Sequence, residues 1–172
     1  SARPCLSQDS FKEDCESITR WVVSHPWCSA RHPDPDQSQL KFLVKELNQQ
    51  NARDTDGVFY DYMSLHQNDL AGNKRSKEDT ELFGKGLKGV DLLYTSPCCK
   101  VLIITKPPHE GDKERDILEG FPATTRLYFK RGWCFFELSI SHLFETIANA
   151  DNPDVSALIK QLPDDPVDFQ QT

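Results

Sequence analysis

The run CCKVLIITKPP, residues 98–108, is apolar without interruption from Val101 to Ile104. A strand with one face in water alternates apolar and polar residues, so a continuous apolar run indicates a strand buried on both faces. Strands of that kind are typical of parallel sheets that carry helices on each side. The run therefore predicts a central strand of a layered α/β domain.

The segments before this run alternate between strand and helix patterns. Residues 19–24 end abruptly at Ser24-His25-Pro26 and read as a strand. Residues 58–65 are short and rich in β-formers, and they read as a second strand. Between the two, a helix capped by Asp36 is expected, with apolar residues at positions i, i+3, i+4 and i+7: Leu40, Leu43, Val44 and Leu47.

Two further helices are expected around the central strand. Residues 82–93 read as one continuous helix despite their three glycines. A later helix begins near Gly132, and its buried face is predicted to consist of Phe136, Ile140, Leu143, Phe144 and Ile147.

This order, β-α-β-α-β-α, predicts a three-layer α/β domain with a mostly parallel sheet of about four strands. In such sheets, ligands bind at the C-terminal ends of the strands. The loops after Ser24, Tyr62 and Thr105 are therefore candidates for one common site.

Composition limits the classes of partner. The chain has 172 residues and a formal charge of −7, and its basic residues form no long run, so we expect no nucleic-acid partner. The longest apolar run is far below the roughly 18 residues that span a bilayer, so no membrane association is expected. Three of the six cysteines, Cys98, Cys99 and Cys134, open or lie in apolar runs. They read as reduced buried residues of a cytoplasmic protein.

Two motif-like patterns carry little weight. GKGLKG, residues 84–89, matches G-x-G-x-x-G, but it lies inside a predicted helix rather than between a strand and a helix, so close helix packing is the favoured interpretation. His25, Cys28 and His32 lie close together but lack a fourth ligand, so no metal is expected.

The sequence RLYFKRGWCFFELSIS, residues 126–141, places one carboxylate, Glu137, in the most apolar run of the C-terminal half. A buried acid without a partner is costly, so Glu137 either faces solvent on a helix or is retained for a task. A carboxylate beside an indole in a strand-end cleft suits glycosidic chemistry. The pattern alone leaves both interpretations open.

The segment YFKRGWCFFEL, Tyr128 to Leu138, resembles the Y-A-S-S-x-W-C-L-D-E-L motif of Toll/interleukin-1 receptor (TIR) domains. WVVSHPW, residues 21–27, resembles the first-strand V-F-L-S-F-R-G of that family, with Ser24 on its serine. The resemblance covers roughly residues 18–148 in element order and implies a flavodoxin-like, TIR-like domain. It also implies that Glu137 is the catalytic residue of NAD cleavage, because Glu137 falls on the family's catalytic glutamate.

The resemblance divides the chain into an N-terminal extension (1–16), a TIR-like domain (17–150) and a tail or truncated remainder (151–172). This sequence departs from the family motif at two places. Lys130-Arg131 stand where the family has paired serines, and Phe136 stands where the family has an acid. The residues expected to contact substrate, besides Glu137, are Ser24, His25, Lys130, Arg131 and Trp133.

The expected function is NAD(P)⁺ glycohydrolase activity in an immune or stress signalling context, with NAD(P)⁺ as substrate, no cofactor, and self-association through the TIR-like domain. One alternative is a non-enzymatic assembly module that uses the loop at 66–78 as a contact surface. A second alternative is an enzyme like the nucleoside 2-deoxyribosyltransferases, which combine this type of fold with a nucleophilic Glu.

Overall fold

Three parallel strands form the centre of the molecule in a computed structural model that describes residues 18–68, 73–105, 116–124 and 126–163. Strand β1 (Arg20–Ser24) pairs with β2 (Gly57–Phe59) on one side and with β3 (Cys99–Ile103) on the other. Beyond β3, Ile147 forms an isolated parallel bridge with Val101, in the position of a fourth strand. The predicted α/β class with a mostly parallel sheet is confirmed.

The strand order β2-β1-β3 means that the chain moves outward from β1 to one side and then returns to its other side. The crevice between β1 and β3 is therefore the switch point of the sheet, where open α/β sheets place their ligands.

In the described part of the chain, six helices and a small hairpin surround the sheet. The helices are α1 (Ser38–Gln49), α2 (Asp61–Ser64), α3 (Lys77–Leu87), α4 (Val90–Thr95), α5 (Gly132–Leu143) and α6 (Pro153–Ile159). Strands β4 (Asp116–Leu118) and β5 (Phe121–Pro122) form an antiparallel hairpin, and a 3-10 turn (Tyr128–Lys130) leads into α5.

Alternate residues of the central strands enter two separate cores. Trp21, Val23 and Leu102 pack with Leu43 of α1 on one face of the sheet. On the other face, a larger core joins the strands to α4, α5 and α6: Val22, Leu93, Val101, Ile103, Leu138 and Val155. The uninterrupted apolar run of β3 thus fills two cores, as a three-layer arrangement requires.

The predicted apolar face of α1 is partly wrong. Leu40 and Val44 are exposed, whereas Gln39, Leu43 and Glu46 are buried. Gln39 is drawn inward by polar contacts to the loop after β1, and Glu46 accepts a hydrogen bond from buried Asn149.

The predicted buried face of α5 is also partly wrong, although Ile140 and Ile147 do pack against the larger core. Phe136, Leu143 and Phe144 are exposed, and the buried residues are Cys134, Leu138, Ser139 and Ser141. The side chain of Glu137 reaches the end of β1, and this contact turns the neighbouring Leu138 into the core.

Three boundaries also differ from expectation. Strand β2 ends at Phe59 rather than at residue 65, because the chain turns into α2. The helix expected at 82–93 is divided at Lys88-Gly89. The carboxylate of Asp34, rather than that of Asp36, accepts from the N–H groups of Gln39 and Leu40 in the first turn of α1, while Asp36 accepts from Ser38.

The cysteines among the described residues divide into two groups. Cys28, Cys99 and Cys134 are free and buried, which confirms the expectation for Cys99 and Cys134. Cys98 is disulfide-bonded, which corrects the expectation of a reduced thiol; it lies half-buried in the turn before β3 rather than in the core. Among the described helices, none has the length and apolarity needed to cross a bilayer.

The domain extends further toward the C-terminus than expected. The predicted N-terminal extension, residues 1–16, lies outside the described residues. Within the predicted tail, α6 supplies Val155 to the larger core, and Leu162 joins it. Residues 153–162 therefore pack as part of the domain.

Candidate functional site

Glu137 meets the end of β1 at the switch point of the sheet. The Ser24 hydroxyl donates to Glu137 Oε2 at 2.5 Å, and Ser24 Oγ lies 2.6 Å from the Tyr128 hydroxyl. A serine hydroxyl has one proton, so while Ser24 donates to a charged Glu137 it must accept from Tyr128. The result is a directed chain of hydrogen bonds from Tyr128 through Ser24 to the carboxylate.

Burial raises the pKa of Glu137 to about 7, against the opposing hydrogen bonds from Ser24 and Tyr94. The negative charge of Asp61 raises it further, and His25 lowers it. The residue keeps a small exposed surface while its carboxyl group is desolvated. Glu137 therefore carries a desolvated carboxyl that changes charge near neutral pH, which is the property expected of a group retained for chemistry.

The two tyrosines beside Glu137 are neutral. Burial, together with the negative charge of Glu137, raises the pKa values of Tyr94 and Tyr128 well above their usual value. Both hydroxyls therefore remain hydrogen-bond donors over the whole physiological pH range.

His25, the next residue after Ser24, is buried in a second polar cluster. Its Nδ1 lies 2.9 Å from Gln39 Oε1, its Nε2 lies 2.8 Å from Asp61 Oδ1, and its ring stacks on Tyr60 with centroids 4.2 Å apart. Both ring nitrogens are thus engaged by protein groups.

The orientation of Gln39 fixes the roles in this cluster. Gln39 Nε2 donates to the Pro26 carbonyl at 2.6 Å, so Gln39 Oε1 is the atom that accepts from His25 Nδ1 and from the Tyr60 hydroxyl. Burial alone would raise the pKa of Asp61, but hydrogen bonding and charge from His25 outweigh it and lower that pKa. With Asp61 ionised, its carboxylate accepts the hydrogen bond from His25 Nε2.

Cys134 lies between the two clusters, and its thiol is 3.5 Å from the carbonyl oxygen of His25. Burial, reinforced by the charge of Glu137, raises the pKa of this thiol to about 12. Because the thiolate is the nucleophilic form, Cys134 is inert at neutral pH.

The remaining predicted site residues lie outside the cluster around Glu137. Arg131, at the N-terminus of α5, donates to the carbonyls of Arg126 and Trp27 and to Thr124 Oγ1, each at 3.0 Å. Lys130 is exposed. Trp133 is 62% exposed and meets Phe136 edge-on, so in this structure it stands on the outer face of α5.

A cleft of about 370 Å³ lies beside the N-terminus of α5. It is lined by Trp27, Ser29, Ala30, Thr124, Arg126 and Arg131. Arg126 is exposed, and its charge contributes, after burial, to a lowered pKa of Arg131.

The structure brings Ser24, His25 and Glu137 together and leaves Lys130 and Trp133 outside that cluster. Sequence reasoning did not assign Tyr94, Asp61 or Gln39 to the site. Asp61 had a usable signal: a strand that ends at Phe59 places Asp61 at a strand end, where ligand-binding residues concentrate. Tyr94 and Gln39 lie within helices and had no such signal.

Among the described residues, no group of three or more His, Cys, Asp and Glu side chains could hold a metal ion. No protein-family model, no curated protein and no solved structure matches the chain.

Proposed function

We propose that the protein is a TIR-like NAD(P)⁺ glycohydrolase in which Glu137 acts on the nicotinamide–ribose bond. The observation that carries the proposal is the Glu137 carboxyl, desolvated and hydrogen-bonded to Ser24 at the switch point of a parallel sheet, with a pKa of about 7. The match of Tyr128, Trp133, Cys134 and Glu137 to the TIR motif gives the reaction class.

The nicotinamide–ribose bond suits a site with a single working carboxylate. The leaving group is already cationic, so no general acid is needed, and positive charge develops at the anomeric carbon. A carboxylate held against that carbon stabilises the charge or attacks it, and water completes the hydrolysis.

The surrounding residues act as positioning groups in this scheme. Ser24 and Tyr128 orient the carboxylate through their hydrogen-bond chain. The pair of buried His25 and partly exposed Asp61 supports the loop that follows β1 by joining it to α2. Arg131 and Lys130, one to two turns before Glu137, supply positive charge toward the phosphates of the substrate.

A purely structural role for Glu137 would pair it with Arg131 or Lys130, the two cations that precede α5. Among the described residues, Arg131 is instead bonded to two carbonyls and a hydroxyl, and no salt bridge to Glu137 occurs. A desolvated carboxylate without an arginine or lysine partner among the described residues favours a catalytic over a stabilising role.

Release of free nicotinamide from NAD⁺ and from NADP⁺ tests the proposal. The assay is run at high protein concentration, and Glu137→Gln should lower the rate by about two or more orders of magnitude. Glu81→Gln, a change of the same type at an exposed position of α3, should leave the rate unchanged. No nicotinamide release by the wild-type protein, or full activity of Glu137→Gln, would contradict the proposal.

A second candidate, a TIR-like assembly module, is favoured by one observation. Four large apolar side chains are exposed along α5 and its C-terminal end: Trp133, Phe136, Leu143 and Phe144. Contiguous exposed apolar surface often marks a protein interface. Self-association without NAD(P)⁺ turnover would favour this candidate.

A further inference from the structure

The cleft beside the N-terminus of α5 contains two guanidinium groups, and none of the described residues that line it is acidic. Among the described residues, neither Arg126 nor Arg131 forms a salt bridge. Burial lowers the pKa of Arg131, and repulsion by the like charge of Arg126 lowers it further. An anion in the cleft would remove that repulsion.

Arg131 is fixed in place for such a role. Its Nε donates to the carbonyl of Arg126, and its Nη2 donates to the Trp27 carbonyl and to Thr124 Oγ1. No described residue accepts from Nη1, so this nitrogen keeps two N–H donors for a ligand. A guanidinium held rigidly by neutral acceptors loses little entropy when it binds an anion.

The distance from the cleft to Glu137 and the volume of the cleft limit the size of the ligand group that the cleft can hold. Arg131 and Glu137 are six residues apart on α5, which is about 9 Å along the helix axis. The cleft volume, about 370 Å³, is near the lower limit for a ligand pocket, so the cleft suits part of a dinucleotide rather than the whole molecule.

The aromatic side of the cleft is provided by Trp27. Its indole is held edge-on to Tyr62, with ring centroids 5.8 Å apart, and it hydrogen-bonds to Asp61. A fixed indole beside two arginines offers a stacking surface for a base next to a phosphate site.

From these features, we propose that the cleft is the nucleoside-diphosphate subsite, with Arg126 and Arg131 binding the two phosphates and Trp27 contacting the attached nucleoside. The assignment rests on the proposed function, because it takes the diphosphate to be that of the dinucleotide cleaved at Glu137. It adds Arg126 and Trp27, for which no role has been assigned above, and defines the substrate class as dinucleotides with a 5′-diphosphate link.

Calorimetric binding of ADP tests this subsite without turnover, since ADP has no nicotinamide–ribose bond. ADP should bind the wild-type chain, inorganic pyrophosphate more weakly, and adenosine at least about tenfold more weakly than ADP, because it lacks the charged hydrogen bonds. Arg126→Ala removes an exposed side chain that has no protein partner among the described residues, so the fold should be retained. It should weaken ADP binding about tenfold or more, and Arg126→Lys should restore part of the loss.

Lys45→Ala is the matched control, because it removes one exposed positive charge from α1, on the other face of the sheet. It should leave ADP binding unchanged. The subsite would be overturned by equal binding of adenosine and ADP, by Arg126→Ala with unchanged affinity, or by Lys45→Ala with the same loss as Arg126→Ala. ADP binding that depends on Arg126 in a protein that releases no nicotinamide would support the subsite and count against the glycohydrolase activity alone.

Discussion

At the scale of single residues, Glu137 shows how a long-range contact sets the chemistry of a side chain. Its apolar neighbours could be read from the sequence, and they account for the desolvation that raises its pKa. The hydrogen bond from Ser24 comes from a residue 113 positions away, and that from Tyr94 comes from another helix. No local pattern encodes such contacts, because they depend on how β1, α4 and α5 pack against one another.

The pKa of Glu137 links the pH dependence of activity to that of stability. The carboxyl must be charged to stabilise a cation, so nicotinamide release should rise with pH and reach its plateau above about pH 7. A folded-state pKa raised above 4.5 means that the folded protein binds the proton more tightly than the unfolded chain. The stabilising contribution of Glu137 is therefore full below about pH 4.5 and is lost as the pH rises through about 7.

Glu137→Gln separates the two effects. Above pH 7 the variant should be as stable as the wild type or more stable, by up to about 3 kcal/mol, because it carries no desolvated charge. Below about pH 4.5 this difference should disappear. Denaturant unfolding of both proteins across this range provides the measurement. A wild-type protein that gains stability relative to the variant between pH 4.5 and 7 would contradict the assigned environment of Glu137.

Ser141 presents the opposite case, a buried polar group with no partner. The residue is fully buried, and its hydroxyl makes no hydrogen bond. Because an unpaired buried hydroxyl is destabilising, Ser141→Ala should raise the free energy of unfolding by about 1 kcal/mol. Ser139 lies on the same helix, and its hydroxyl donates to the Phe135 carbonyl at 2.7 Å, so Ser139→Ala should give no gain. Equal effects of the two substitutions would show that the missing hydrogen bond of Ser141 does not affect the free energy of unfolding.

At the scale of elements, strands were predicted better than helix faces. β1 and β3 were found within one or two residues because their uninterrupted apolar runs have no alternative interpretation. The buried faces of α1 and α5 were misassigned because polar residues hold each helix in its rotation. Gln39 turns α1 toward the loop after β1, and Glu137 turns α5 toward Ser24. A periodicity that counts only apolar residues cannot detect an anchor of this kind.

The glycines of α3 test the packing interpretation of GKGLKG. Gly84 has open space where a Cβ would stand, so Gly84→Ala should stabilise the protein by about 0.5–1 kcal/mol through helix propensity. A Cβ on Gly86 would lie 2.6 Å from Cδ2 of Leu65, so this leucine would have to move. Gly86→Ala should therefore be less stabilising than Gly84→Ala, or destabilising. Thermal melts of the two variants compare them directly, and a larger gain for Gly86→Ala would exclude close packing at that position.

At the scale of the whole molecule, the candidate site lies where the topology alone places it. The strand order β2-β1-β3 creates a crevice at Ser24, and the loops after β1 and β2 and the start of α5 converge there. Sequence order and the direction of parallel strands predicted that the loops after Ser24 and Tyr62 meet here, whereas the third predicted loop, after Thr105, lies outside the described residues. The side chains that complete the site were not predictable, because each enters from an element whose rotation is set by its own contacts.

The exposed apolar stripe of α5 bears on assembly. Leu143 and Phe144 are 60% and 54% exposed and lie six and seven residues beyond Glu137, clear of the candidate site. If a second copy covers this stripe, Leu143→Ser combined with Phe144→Ser should shift sedimentation at high concentration toward the monomer without lowering the melting temperature. Leu40→Ser combined with Val44→Ser removes two apolar groups of similar exposure from α1 and is the control.

Activity measured across the same concentration range decides whether assembly and catalysis are linked. An enzyme completed by self-association should show specific activity that rises with protein concentration, and the α5 variant should lose that rise while the α1 variant keeps it. Burial of apolar surface stabilises an interface by about 25 cal/mol per Å². A stable dimer must therefore bury more surface than these two side chains provide. Equal sedimentation of the wild-type protein and both variants at every concentration would exclude the stripe as an interface, and concentration-independent turnover would then assign the activity to the monomer.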